Sequence, residues 1–176
     1  MRAMRAAGDT IAKRSQGRVV LRFYPGGVMG NDQSVMRKIR AGQLQGGAVT
    51  IGALAGVDKD IEIYGLPFLF HDLREVDQVR ARMDTTLLQG LEKKGFIGFG
   101  FAEGGFAYFM SNRPLKTITD LQAGKVWAPE GDKISLTGFE AVGVSPVTLP
   151  ITDVLVALQT SLLDTVTSPP AGAIAL

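Results

Sequence analysis

The side chains able to do chemistry are few, and their spacing argues against catalysis. One histidine is present, His71, within Leu69-Phe70-His71-Asp72-Leu73. A zinc site or a serine–histidine–aspartate triad would have to run through it without a second histidine, so a polar residue opening a helix or turn is the better reading. There is no cysteine, which excludes disulfides, thiolate nucleophiles and cysteine-ligated metals but fits any compartment. Glu130 and Asp132 are close enough in sequence to suggest a general acid and base. Gly131 between them and Lys133 beside them read instead as the entry to a helix. Gly98-Phe99-Gly100 followed by Gly104-Gly105 has the glycines of a phosphate loop but not the G-x-G-x-x-G spacing, and Phe106-Ala107-Tyr108-Phe109 does not open a helix. It reads as a strand end approaching a ligand or a hinge. No Walker lysine loop and no G-x-S-x-G elbow occurs. The expectation is therefore no catalytic residue, no metal and no cofactor.

These residues must be positioned by a chain of 176 residues, 45% hydrophobic and 20% charged. That is a globular composition, enough for one domain or two small lobes. The net charge of +2 comes from 19 basic and 17 acidic residues, interleaved. Runs such as Arg37-Lys38-Ile39-Arg40 read as solvated helix faces, not a nucleic-acid stripe. No stretch reaches the roughly 20 apolar residues of a membrane-spanning helix. The start, Met1-Arg2-Ala3-Met4-Arg5-Ala6-Ala7-Gly8-Asp9, is basic but lacks the apolar core of an export signal. For a periplasmic protein, that signal would be expected ahead of this chain.

Helix-like and strand-like patterns alternate. Residues 1–15 read as a helix that Gly17 stops, and Arg18–Tyr24 as a β-branched, aromatic strand ended by Pro25-Gly26-Gly27. Asn31 or Asp32 caps a helix running to Ala41, and 46–54 reads as a short strand and its exit. Gly65-Leu66-Pro67-Phe68-Leu69-Phe70 is an apolar loop, Arg74–Lys94 a long helix and Phe96–Ala102 a further strand. After a crossing near Phe106–Pro114 the pattern restarts. Thr119–Gln122 reads as a capped turn, Lys125–Ala128 as a strand, Gly131–Val142 as a helix and Val144–Leu149 as a strand. A helix capped by Thr152 or Asp153 follows, and Ser168-Pro169-Pro170 breaks the chain. The alternation predicts an α/β fold with a largely parallel sheet.

Ser15-Gln16-Gly17-Arg18-Val19 followed by Tyr24-Pro25-Gly26-Gly27-Val28-Met29-Gly30 resembles the opening of DctP-type solute-binding proteins, which serve tripartite ATP-independent periplasmic (TRAP) transporters. The resemblance continues through Ile39-Arg40-Ala41-Gly42, Leu66–Phe70, Ser111-Asn112-Arg113-Pro114-Leu115, Asp120-Leu121, Ala157-Leu158-Gln159-Thr160, Asp164 and Pro169. It implies a two-lobed α/β architecture of the type II periplasmic-binding-protein kind, closing around one small acidic ligand. In this chain that architecture is expected to be incomplete: residues 1–110 would make most of lobe I without its first strand, and 111–176 the first part of lobe II. The implied partners are a small organic ligand and TRAP membrane subunits, the implied compartment the periplasm.

The resemblance also points to residues. Trp127, in Lys125-Val126-Trp127-Ala128-Pro129, and Ala107 stand where such proteins commonly place arginines for a ligand carboxylate. A guanidinium grips carboxylate with two bonds, whereas tryptophan offers an apolar face and one N–H. Trp127 is therefore expected either to stack on a less acidic ligand or to be core. Thr50, Ile151 and Ser168 match other ligand positions, and Glu103 and Glu130 lie beside the cleft strands, as hydrogen-bonding groups or as a solvated lip. Two alternatives stay open: a ligand-sensing domain of a regulator or receptor with the same fold, and a small α/β enzyme.

Overall fold

The computed structural model describes residues 2–175. The helices are α1 (Arg2–Arg14), α2 (Asp32–Arg40), α3 (Ile51–Ala55), α4 (Leu73–Lys93), α5 (Ile118–Gln122), α6 (Lys133–Ala141), α7 (Val154–Gln159) and α8 (Pro170–Ala175). The strands are β1 (Tyr108–Ser111), β2 (Trp127–Pro129), β3 (Val147–Leu149) and β4 (Thr165–Ser168). Several starts are set by local chemistry. Asn31 accepts a hydrogen bond from the Ser34 N–H to cap α2, Asp72 caps α4 through Glu75, and Thr117 with Asp120 forms a reciprocal capping box on α5. Pro170 opens α8, where the missing N–H costs nothing.

The second part of the chain forms a sheet. β1 pairs antiparallel with β4 and β2 parallel with β3. A parallel bridge between Val126 and Thr165 joins the two pairs, giving the spatial order β1–β4–β2–β3. One face packs Trp127, Val154, Ala157, Leu163 and Val166 together, while Val126, Ala128, Phe139 and Val144 form a second cluster. The ion pair of Arg113 with Asp164 (Nε to Oδ2, 3.3 Å) fastens the entry of this part to the turn before β4. Arg113 also donates to the Asp120 carbonyl, and Asp164 Oδ1 accepts from the Lys125 N–H at 3.0 Å. Arg113 is thus committed to the fold. Strand β4 was missed in the sequence, where Thr165-Val166-Thr167-Ser168 was overshadowed by the prolines after it, although its β-branched run was the available signal.

The first part differs from expectation. The segments 18–24, 46–50 and 96–102 are extended, but none pairs into a strand among the described residues. A strand is defined by a hydrogen-bonded neighbour, and no backbone hydrogen bond joins these three segments to one another among the described residues. Ile51–Ala55, read as the exit of a strand, is instead a short helix, and Lys59–Gly65 is a 3-10 turn. The core of this part lies between α4 and that turn: Ile61, Leu87 and Leu91, flanked by Ile51, Leu54, Phe96 and Phe101. α1 rests on the 18–24 segment at Gly8, where a Cβ would come 3.1 Å from the Phe23 ring.

Candidate functional site

In an open α/β sheet, ligands bind beyond the carboxyl ends of the parallel strands. Here β2 ends at Pro129, β3 at Leu149 and β4 at Ser168. β1 runs the other way, so its start, directly after Ala107, reaches the same edge. Four of the residues singled out from sequence therefore gather at this edge: Ala107, Glu130, Ile151 and Ser168. A fifth, Glu103, lies one residue before Gly104, where a Cβ would meet the Pro169 ring at 3.4 Å.

The first part faces this edge. The Asn31 amide donates to the Glu130 carboxylate. A Cβ on Gly52 would lie 3.5 Å from the Asp132 Cα, and one on Gly27 would lie 2.7 Å from the Thr152 methyl. Thr50 caps this side at the start of α3, where its hydroxyl and backbone N–H both donate to one Asp32 oxygen, at 2.6 and 2.8 Å. The junction is thus lined by loops, with hydroxyls and carboxylates on both sides.

Individual placements refine the expectations. Trp127 is 3% exposed and its indole N–H donates to the Leu149 carbonyl at 2.9 Å. No ring face is open in this arrangement, which agrees with the second of the two expectations for Trp127, a core residue: the side chain fills the space behind the edge, because β2 is covered on the face it points to. Ser168 is also buried, and its hydroxyl donates to the Pro169 carbonyl at 3.0 Å. Ile151 and Ala107 are exposed, and Ala107 adds no polar group. Glu103 sits 3.8 Å from an Arg80 nitrogen.

Sequence reasoning missed three groups. Asn31 and Asp32 were read only as caps, yet they face the junction and Thr50. Arg80 is gripped by Asp84 (3.1 Å) and donates to the Phe101 carbonyl (2.7 Å), and the i, i+4 spacing of Arg80 and Asp84 was the signal for it. Its pKa is raised, chiefly by the bond to Asp84. Tyr64, which donates to Asp84, has its phenol pushed up by burial first and by that carboxylate second. One buried hydroxyl, on Thr167 just before the edge, has no partner among the described residues.

Two surface hollows lie elsewhere. One of about 380 Å³ is lined by Val28, Met29, Ser34, Arg37 and Lys38, the other of about 350 Å³ by Ile63, Leu69, Phe70, Val79 and Met83. Each is lined by the first part alone, so neither coincides with the strand-end edge. Among the described residues no group of three or more His, Cys, Asp or Glu is placed to hold a metal. No helix among them is long and apolar enough to cross a membrane.

Comparison with known proteins places this architecture. Residues 3–173 match the family described as DctP, bacterial extracellular solute-binding protein, family 7. A C4-dicarboxylate-binding periplasmic protein DctP of Rhodobacter capsulatus is 27% identical over 162 residues, 91% of this chain and 48% of that protein. The crystal structure of a TRAP periplasmic solute binding protein from Sulfitobacter sp. NAS-14.1 with bound β-D-galacturonate superposes with a TM-score of 0.85 at 21% identity, over 97% of this chain and 57% of that one. A similar protein from Ochrobacterium anthropi with bound L-fuconate gives 0.78 at 26% identity, over 98% and 58%. The chain spans about half the length of the relatives it matches. These relatives are solute-binding proteins and lend no support to the regulator alternative.

Proposed function

Because this chain belongs to the DctP family, the bacterial extracellular solute-binding proteins of family 7, we propose that it contributes to a periplasmic binding protein that captures a small organic solute between two lobes and delivers it to TRAP membrane subunits. The lobes are proposed to divide in the 106–112 crossing, with residues 1–110 and 111–176 as their approximate extents and β1 within the crossing paired into the second part's sheet. The role is binding, with no catalytic residue. The observation that carries this reading is the meeting of three parallel strand ends with the 27–31 loop and the starts of α2 and α3 in the first part.

The solute is proposed to be less acidic than a dicarboxylate. The edge offers Thr50 and Glu103 for hydrogen bonds and Ile151 for apolar contact, while Ala107 and Trp127 bring no cation. A carboxylate moved from water into a closing cleft needs a cationic partner, since an unpaired buried charge is costly. Titration calorimetry with succinate, galacturonate and neutral polyols tests this on the parent and on Ala107→Arg, a change at an exposed position that the fold tolerates. We expect the variant to gain about tenfold or more for the acids, the worth of one charge-assisted pair. Tight binding of succinate by the parent, unchanged in Ala107→Arg, would overturn the ligand class. Binding of none of these compounds by either protein would count against the capture role.

A further inference from the structure

Only one polar side-chain bond joins the two parts across the strand-end edge among the described residues, that from the Asn31 amide to the Glu130 carboxylate. Asn31 serves two masters. Its Oδ1 accepts the Ser34 N–H at 2.9 Å and so starts α2, which leaves its Nδ2 aimed outward at Glu130. The orientation of the amide is therefore set by the helix, because the cap needs the oxygen and only the nitrogen remains for a carboxylate. Glu130 is held from the other side: its backbone N–H donates to the Leu149 carbonyl at 3.2 Å, continuing the β2–β3 ladder past its last pair. The Asn31 amide and the Glu130 backbone are thus each set by their own part of the fold.

The surrounding backbone is shaped for close approach. Gly131, at φ +84°, turns the chain directly after Glu130, and a Cβ there would come 3.1 Å from the Gln33 amide nitrogen. On the facing side Gly52 passes Asp132 at van der Waals distance. A side chain at either glycine would meet the opposite part.

We propose that Asn31 and Glu130 form a latch across the cleft, which biases the two parts toward the closed arrangement before any solute is bound. The proposal rests on the two-lobe reading above and assigns Glu130 to closure rather than to solute contact. A latch of this kind raises the fraction of binding-competent protein, and apparent affinity scales with that fraction.

The absence of cysteine makes the test direct. Nitroxide labels on Gln43→Cys and Glu140→Cys, both exposed positions on opposite parts, report their separation by pulsed electron resonance without ligand. Asn31→Asp keeps the cap, since aspartate caps as well as asparagine, but sets a carboxylate against Glu130. It is expected to shift the distances longer and to lower the closed population about two- to fivefold, the range open to one exposed hydrogen bond of ordinary net strength. Adding Glu130→Gln to Asn31→Asp removes the repulsion and restores a donor–acceptor pair, so the short distances should return. Asn31→Ser, also a good cap, should open the cleft without repulsion. Circular dichroism equal to the parent's shows that α2 is intact in each variant. Distances unmoved by Asn31→Asp, or unrestored by Glu130→Gln, would overturn the latch. Since no solute is present, failure to bind any solute would count against the capture role and leave this result standing.

Discussion

Phe99 and Trp127 are large aromatics on two segments that both read as strand, one in each part of the chain. Phe99 is fully exposed and Trp127 is 3% exposed. The difference is shared by their surroundings: of the buried apolar residues, five precede residue 104 and nine follow it, although the first part is the longer. Val19, Val20, Leu21, Tyr24 and Ile97 in the first part are exposed. What separates the two parts is pairing. In the second part each strand has a neighbour, and around the inner strands β2 and β4 the side chains of Val126, Trp127, Ala128 and Val166 are packed against helices α6 and α7, while Tyr108 and Phe109 on the edge strand β1 stay exposed. In the first part the extended segments have no neighbour among the described residues, and several of their apolar side chains stay in water, although Phe96 and Phe101 reach the core. Burial is greatest where a strand has neighbours on both sides, and the hydrophobicity of a segment alone does not decide it.

That contrast is most easily broken by truncating the two aromatics. Trp127→Ala should destabilise the second part by about 3–5 kcal/mol, the usual cost of deleting a large buried side chain. Phe99→Ala should stay within about 0.5 kcal/mol, as for surface substitutions. Urea unfolding of both variants reads the difference, and equal effects would show that Phe99 is buried in solution.

Amide exchange sharpens it residue by residue. The N–H groups of β1 and β4 that lie in the ladder should exchange at least about a hundredfold more slowly than those of 20–24 and 97–101, whose amides make no ladder bond. Comparable protection in 20–24 would mean that the first part forms a sheet of its own.

A smaller effect is expected at the ion pair that anchors the second part. Burial pushes the Asp164 carboxyl up, but the Thr165 hydroxyl, the Lys125 N–H and the Arg113 guanidinium together outweigh it, and its pKa ends below the ordinary value of 3.8. A depressed carboxylate contributes stability above its unfolded pKa, and that stability is lost as pH falls through the lower folded value. Asp164→Asn should therefore cost about 1–3 kcal/mol at pH 7. The gap between variant and parent should close below pH 3.8, which a urea midpoint measured against pH will show.

The smallest change is at Thr167, whose hydroxyl is buried without a partner among the described residues. Thr167→Val removes that donor at nearly constant shape and should be neutral or stabilising by up to about 1 kcal/mol. A loss of more than that in a thermal melt would reveal a partner for the hydroxyl in solution.

The sequence by itself determined the order of helices, several of their caps and the alternation that makes an α/β chain, because these depend on neighbours three or four residues away. Asn31 could be read as a start for that reason, and the starts expected at Arg74 and Thr119 fall one residue after those of α4 and α5. It also carried the segment order by which the family is recognised. The site was legible in part: Ala107, Glu130, Ile151 and Ser168 do meet at one edge. Their meeting depends on the β1–β4–β2–β3 order, which joins residues up to about 60 positions apart, and no local pattern encodes it. Tertiary structure alone decided that Trp127 packs inward, that Arg113 is spent on Asp164 and that Asn31 faces Glu130. It also decided that three strand-like segments remain unpaired, since β propensity creates a strand only when another backbone lies alongside to complete its hydrogen bonds.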